Sequence, residues 1–177
     1  RVVFMRIDSR YRISPGVDAM KDFIYDQVAG GRQNLLIINP RHAFEYKSHP
    51  EITRDISALT QGEMREIVDF ARRHYVDVAP GGNSPGHASW IIQKRPDLAY
   101  QGDINLLDMV DPEKVKESRK LLTDLYSELI GVFKPRYFHL GGDEVRWPPT
   151  DDPNELNARR QQLLDHWLFM FDFLRSK

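Results

Sequence analysis

Asp143 and Glu144 stand side by side behind the run Tyr137-Phe138-His139-Leu140-Gly141-Gly142. Two adjoining carboxylates whose proton affinities are pushed apart give one proton donor and one charged partner, the minimum for general acid–base chemistry. Most adjacent acids are only solvated surface, so the setting decides. Here an aromatic and aliphatic run suits a strand, and two glycines let the chain turn and let another backbone or a ligand approach closely. Strand ends that deliver acids into a turn are where α/β proteins place their chemistry.

Other residues are candidates by position. His87 ends the glycine-rich stretch Gly81-Gly82-Asn83-Ser84-Pro85-Gly86 behind an apolar run. Asp8 follows the first apolar run and His42 the second. His42 reads first as an ordinary loop histidine, and His139 as a packed one. Trp147 lies beside the acids, and it and Trp90 offer flat aromatic faces on which a ligand could stack. Trp167 falls on a helical apolar stripe and reads as core. Neither H-E-x-x-H nor comparable ligand spacing supports a metal site, and a phosphate-cradling glycine motif is absent.

These residues need elements to position them. Residues 2–7, 35–38, 76–80 and 137–140 read as strands, the second continuous enough to be buried on both faces. Residues 17–28 carry apolar positions at helical spacing. Thr60-Gln61-Gly62-Glu63 is a capping box opening a second helix, and residues 88–92 begin a short one. Asp111-Pro112 opens a long helix with Val115, Leu122, Leu125, Leu129 and Val132 on one side. A last helix runs from about Pro153 to the end, with Leu156, Leu163, Leu164, Trp167, Leu168, Phe171 and Leu174 as its apolar side. Residues 95–110 look irregular. Strand and helix alternate four times, which implies parallel strands joined by right-handed crossovers. A doubly wound sheet and a (β/α)8 barrel both fit. Polar or glycine-rich residues after every strand favour the barrel, which gathers its strand ends at one mouth.

The 177 residues suggest one domain, and 25 basic against 26 acidic residues leave no electrostatic footprint for nucleic acid or an anionic membrane. Without cysteine, disulfides and thiolate catalysis are excluded. No apolar run reaches membrane-spanning length and no signal peptide is visible. The chain begins inside an apparent strand, as a fragment would, and its compartment is not legible.

The run from Phe138 to Val145 resembles the H-x-G-G-D-E signature of family-20 glycoside hydrolases, the β-N-acetylhexosaminidases. Pro85-Gly86-His87 is similar to that family's third-strand loop, and Asp8 to the acid of its first-strand motif. Phe44-Glu45-Tyr46, His49-Pro50-Glu51-Ile52 and Asn83-Ser84 resemble a divergent branch. The resemblance implies a (β/α)8 barrel that removes terminal N-acetylhexosamine with retention, the substrate's acetamido group attacking the anomeric carbon. It implies Glu144 as acid and base, Asp143 as the group that holds the acetamido N–H, and His87 in the network that tunes Glu144. Asp8, Trp147 and His42 complete the expected substrate-binding set, with no cofactor. Two strand ends depart from the pattern: Pro40-Arg41-His42 stands where many members carry acids after the second strand, and Gly81 and Asn83 stand where many carry an acid after the third.

A whole barrel needs about 250 residues. Residues 1–177 therefore read as a partial barrel catalytic domain, strands 1–4 with helices 1–4, that self-associates or pairs with the remaining half. A non-catalytic carbohydrate-binding or structural module on the same scaffold, an inactive truncated fragment, and a different barrel hydrolase stay open as alternatives.

Overall fold

The computed structural model describes residues 1–6, 16–53 and 57–177, and these divide into two compact units. The first comprises residues 1–82 and 125–140, the second residues 83–124 and 141–177.

In the first unit, β1 (Val2–Arg6), β2 (Leu35–Asn39) and β3 (Asp77–Pro80) form a parallel sheet in sequential order, with Val2 opposite Leu35 and Leu35 opposite Asp77. Parallel neighbours need a covering crossover. Those crossovers contain α1 (Val17–Phe23), which continues as a π-helical stretch Ile24–Ala29, and α2 (Gln61–Arg73). Met20, Ile24, Val28, Met64, Ile67, Val68 and Ala71 on these helices are buried, as are Leu36, Ile38 and Val78 of the sheet. The expected capping box is present: the Glu63 N–H donates to Thr60 Oγ1 (3.1 Å) and the Thr60 N–H to Glu63 Oε2 (2.8 Å).

Two expectations change. β2 is not buried on both faces: Leu35 and Ile37 are only half-buried, and on β1 the same alternation leaves Val2 and Phe4 exposed. A period of two sends alternate side chains to opposite faces, and the helices cover only one. The fourth strand reduces to a single parallel bridge, His139 to Gly81, in which the His139 N–H donates to the Pro80 carbonyl (3.0 Å) and the Gly82 N–H to the His139 carbonyl (2.7 Å). Its place beside β3 is the one the alternation implies. Its ladder stops because the chain turns at Gly141 and Gly142, which take φ of 75° and 98°.

The second unit holds α3 (Ser89–Ile92), part of α4 (Pro112–Phe133) and α5 (Pro153–Arg175). Asp111 accepts from the N–H groups of Glu113 and Lys114, as the sequence predicts for its cap, and Asp152 accepts from that of Asn154 at the start of α5. Residues 95–110 are irregular only in name. The Tyr100 N–H donates to the Leu106 carbonyl and the Asp108 N–H to the Leu98 carbonyl, closing a narrow loop on either side of an Ala99–Leu107 bridge.

The apolar side expected for α5 is overturned. Leu156, Leu164, Leu168 and Phe171 are exposed, whereas Arg159, His166 and Met170 are buried. The helix carries apolar residues around much of its circumference, so the stripe could not be assigned a direction from spacing alone. Trp90 is buried and is not a sugar platform.

Candidate active site

The acids follow from what the glycines do. With Gly141 and Gly142 in the left-handed region, the backbone turns sharply just before Asp143. Glu144 is itself left-handed, at φ 50°, and so is His87, at φ 53°. Such a conformation is uncommon for non-glycine residues and persists only where the surroundings over-determine it. Both were candidates on sequence grounds, and Arg32, Arg41, Tyr75, Gln101 and Lys134 share the conformation elsewhere among the described residues.

Within the second unit the two segments meet. His87 Nε2 lies 3.3 Å from Glu144 Oε2 and 3.6 Å from Asp143 Oδ2. The two carboxylates therefore turn toward one imidazole rather than away from each other. Backbone closeness makes this possible: a methyl group at Gly86 would sit 3.2 Å from the Asp143 carbonyl oxygen, so only glycine fits there without a shift. The His87 loop is tied down on both sides, the Leu107 N–H donating to the Pro85 carbonyl (3.0 Å) and the Ala88 N–H to the Asn105 carbonyl (3.0 Å).

Beside this pair opens a cavity of about 190 Å³ lined by Gly86, His87, Asp103, Asn105, Leu106, Glu144 and Arg146. Arg146 Nη2 lies 3.4 Å from Glu144 Oε1, so the carboxylate is flanked by a guanidinium on one side and an imidazole on the other. Asp103 is partly engaged, accepting from the Asn105 N–H at 2.7 Å.

The burial expected around the acid is not there. The side chains of Asp143 and Glu144 are 68% and 55% exposed. Adjacent carboxylates on a turn exclude water only when something covers them, and no such cover exists among the described residues of this unit.

The remaining candidates separate. Trp147 is half-buried but does not line the cavity, and its indole N–H has no partner among the described residues. His42 belongs to the first unit, half-buried in a 3₁₀ turn (Arg41–Ala43) just after β2. Asp8 lies outside the described residues. His139 packs against Phe4, ring centroids 5.2 Å apart, as a packed histidine should. No group of three metal-ligating side chains occurs among the described residues.

Arg146, Asp103 and Asn105 were missed by sequence reasoning. Arg146 could have been found from its place two residues beyond Glu144, whereas Asp103 and Asn105 sit in the stretch without periodicity. Trp167 was misassigned: it is half-buried, and its indole lies against Gly142, where an added methyl would be 3.1 Å from the ring.

Residues 39–167 match the family model described as glycosyl hydrolase family 20, catalytic domain. Among curated proteins, a lacto-N-biosidase of Bifidobacterium bifidum is 34% identical over 93 residues, covering 50% of this chain and 8% of that protein. Beta-hexosaminidase subunit A2 of Dictyostelium discoideum is 30% identical over 136 residues (64% of this chain, 24% of that protein). Hexosaminidase D of Bos taurus is 24% identical over 152 residues (81% and 43%). Among solved structures, a family-20 β-N-acetylhexosaminidase of Streptomyces coelicolor superimposes with a TM-score of 0.79 at 17% identity, over 99% of this chain and 37% of that one. A chitobiase of Flavobacterium johnsoniae gives 0.78 at 24%, over 99% and 30%. The chain spans less than half the length of each of these relatives.

Proposed function

The chain belongs to glycosyl hydrolase family 20, and from that premise we propose that it is the first half of a (β/α)8 catalytic domain that releases terminal N-acetylhexosamine with retention. The observation that carries this reading is the convergence of Asp143, Glu144 and His87 around one imidazole nitrogen.

Glu144, protonated, gives its proton to the glycosidic oxygen as the bond to the anomeric carbon breaks. The substrate's acetamido oxygen forms the new bond to that carbon from the opposite face, giving an oxazolinium ion. Asp143 accepts a hydrogen bond from the acetamido N–H and offsets the positive charge that grows there. Water then attacks the anomeric carbon as its bond to the acetamido oxygen breaks and restores the amide, Glu144 takes the water's proton, and two inversions sum to retention. Because the two carboxylates are open to water here, the sugar itself supplies the cover that strengthens these interactions. His87 orients Glu144, and Arg146 lies on the side of the carboxylate away from the imidazole's contact.

The test uses the protein that carries this chain, at its full length. It should release nitrophenol from a 4-nitrophenyl N-acetyl-β-glucosaminide, and Glu144→Gln should lower that rate by about 100-fold or more. Absence of release, with Glu144→Gln indistinguishable from the parent, contradicts the proposal. The exposure of both carboxylates favours one second reading, a sugar-binding module without turnover, which tight binding of N-acetylglucosamine by a protein with no hydrolysis would support.

A further inference from the structure

His166 is a buried titratable group that the mechanism above does not use. It sits on α5, fully enclosed, where the helix would most simply carry an aliphatic residue. Its Nε2 is 3.0 Å from the hydroxyl oxygen of Ser84, itself buried, and its Nδ1 has no partner among the described residues. An enclosed imidazole with one nitrogen unpaired costs stability, so its retention calls for an account. The next residue supplies one. Trp167 points about 100° further round the helix, against Gly142.

We propose that His166 and Trp167 are positioning residues: consecutive side chains of one rigid helix that hold the two catalytic segments against each other. His166 grips Ser84, three residues before His87. Trp167 presses on Gly142, the residue before Asp143. Between these grips the segments touch directly, at Gly86 against the Asp143 carbonyl and at His87 against Glu144. The left-handed backbones of His87 and Glu144 lie inside this clamp, where over-determination by neighbours is required. Burial, with the nearby Arg119 charge second, pushes the His166 imidazole down to about 4, so it stays neutral and can share the Ser84 bond throughout the range in which a glycosidase of this type would work.

The kinetic arm of the test rests on the proposed hydrolysis; the spectroscopic arm does not. In the full-length protein, Ser84→Ala and His166→Leu should each lower kcat about tenfold with little change in KM. The double variant should be no worse than either single one, because both remove the same bond. His166→Gln, which keeps a hydrogen-bonding group, should recover most of the rate. Independently, the imidazole resonances of His87 should change in chemical shift in His166→Leu and in Trp167→Leu. They should not do so in Ile91→Val, a buried control in the same unit. Additive losses in the double variant, or His87 resonances that move as far in the control, overturn the proposal. If the parent hydrolyses no N-acetylhexosaminide, the proposed function fails while the His87 resonances still decide this inference.

Discussion

At the scale of single residues, Glu144 holds a backbone conformation that suits glycine better than glutamate. Glu144→Gly should make the protein more stable than Glu144→Ala by about 1 kcal/mol, measured by urea unfolding, because only glycine takes that φ without strain. Equal stability of the two variants would show that the turn is not strained. The acids and His87 were legible in the sequence because glycines and a proline mark the turns that expose them. Trp167 was not, since its contact with Gly142 comes from how the chain returns on itself.

Elements show where local pattern suffices and where it fails. The Thr60 capping box and the Asp111 cap are local hydrogen bonds, so residue type and spacing predict them directly. Thr60→Ala should cost about 1 kcal/mol of unfolding free energy, and an unchanged midpoint would mean that the end of α2 frays without loss. The packing direction of α5 was not legible, because leucines and aromatic residues occur on several sides and only tertiary contacts select which are buried. Gly142 ties this helix to the site. Gly142→Ala forces a methyl toward the Trp167 ring at an unfavourable φ, and should destabilise by roughly 1–3 kcal/mol with a change in tryptophan emission. Native emission and stability would contradict the packing described. The shortened fourth strand belongs here too: the run Tyr137-Phe138-His139-Leu140 has strand character, but its ladder with β3 stops where the chain turns at Gly141 and Gly142.

For the whole molecule, the alternation of strand and helix made a barrel-type parallel sheet legible, and the structure and its likeness to family-20 enzymes agree. Division into two compact units was not legible, because composition does not shift at their boundaries. His166 links stability to pH. Above pH 6.5 the imidazole is neutral folded or unfolded; between 6.5 and about 4 only the unfolded chain takes the proton, so stability falls as pH falls through that window. The loss should reach roughly 3 kcal/mol by pH 4, and His166→Gln should remove that part of the slope in urea unfolding series. Parallel pH dependence in the two proteins would show that His166 does not carry it. Exposed Val2 and Phe4 in one unit, and Leu164, Leu168 and Phe171 in the other, predict concentration-dependent association of residues 1–177 in light scattering, which a monomer at every concentration would contradict.

The central claim is that the substrate's own amide forms the bond to the anomeric carbon while Asp143 and Glu144 attend it. It is tested most directly by comparing the full-length protein on 4-nitrophenyl β-glucosaminides whose 2-acetamido group carries zero, one, two or three fluorines. Fluorine withdraws electrons from the attacking oxygen, so kcat should fall steeply and monotonically along the series. A flat series would mean that some other group attacks the sugar, and that the two acids do not serve the reaction assigned to them.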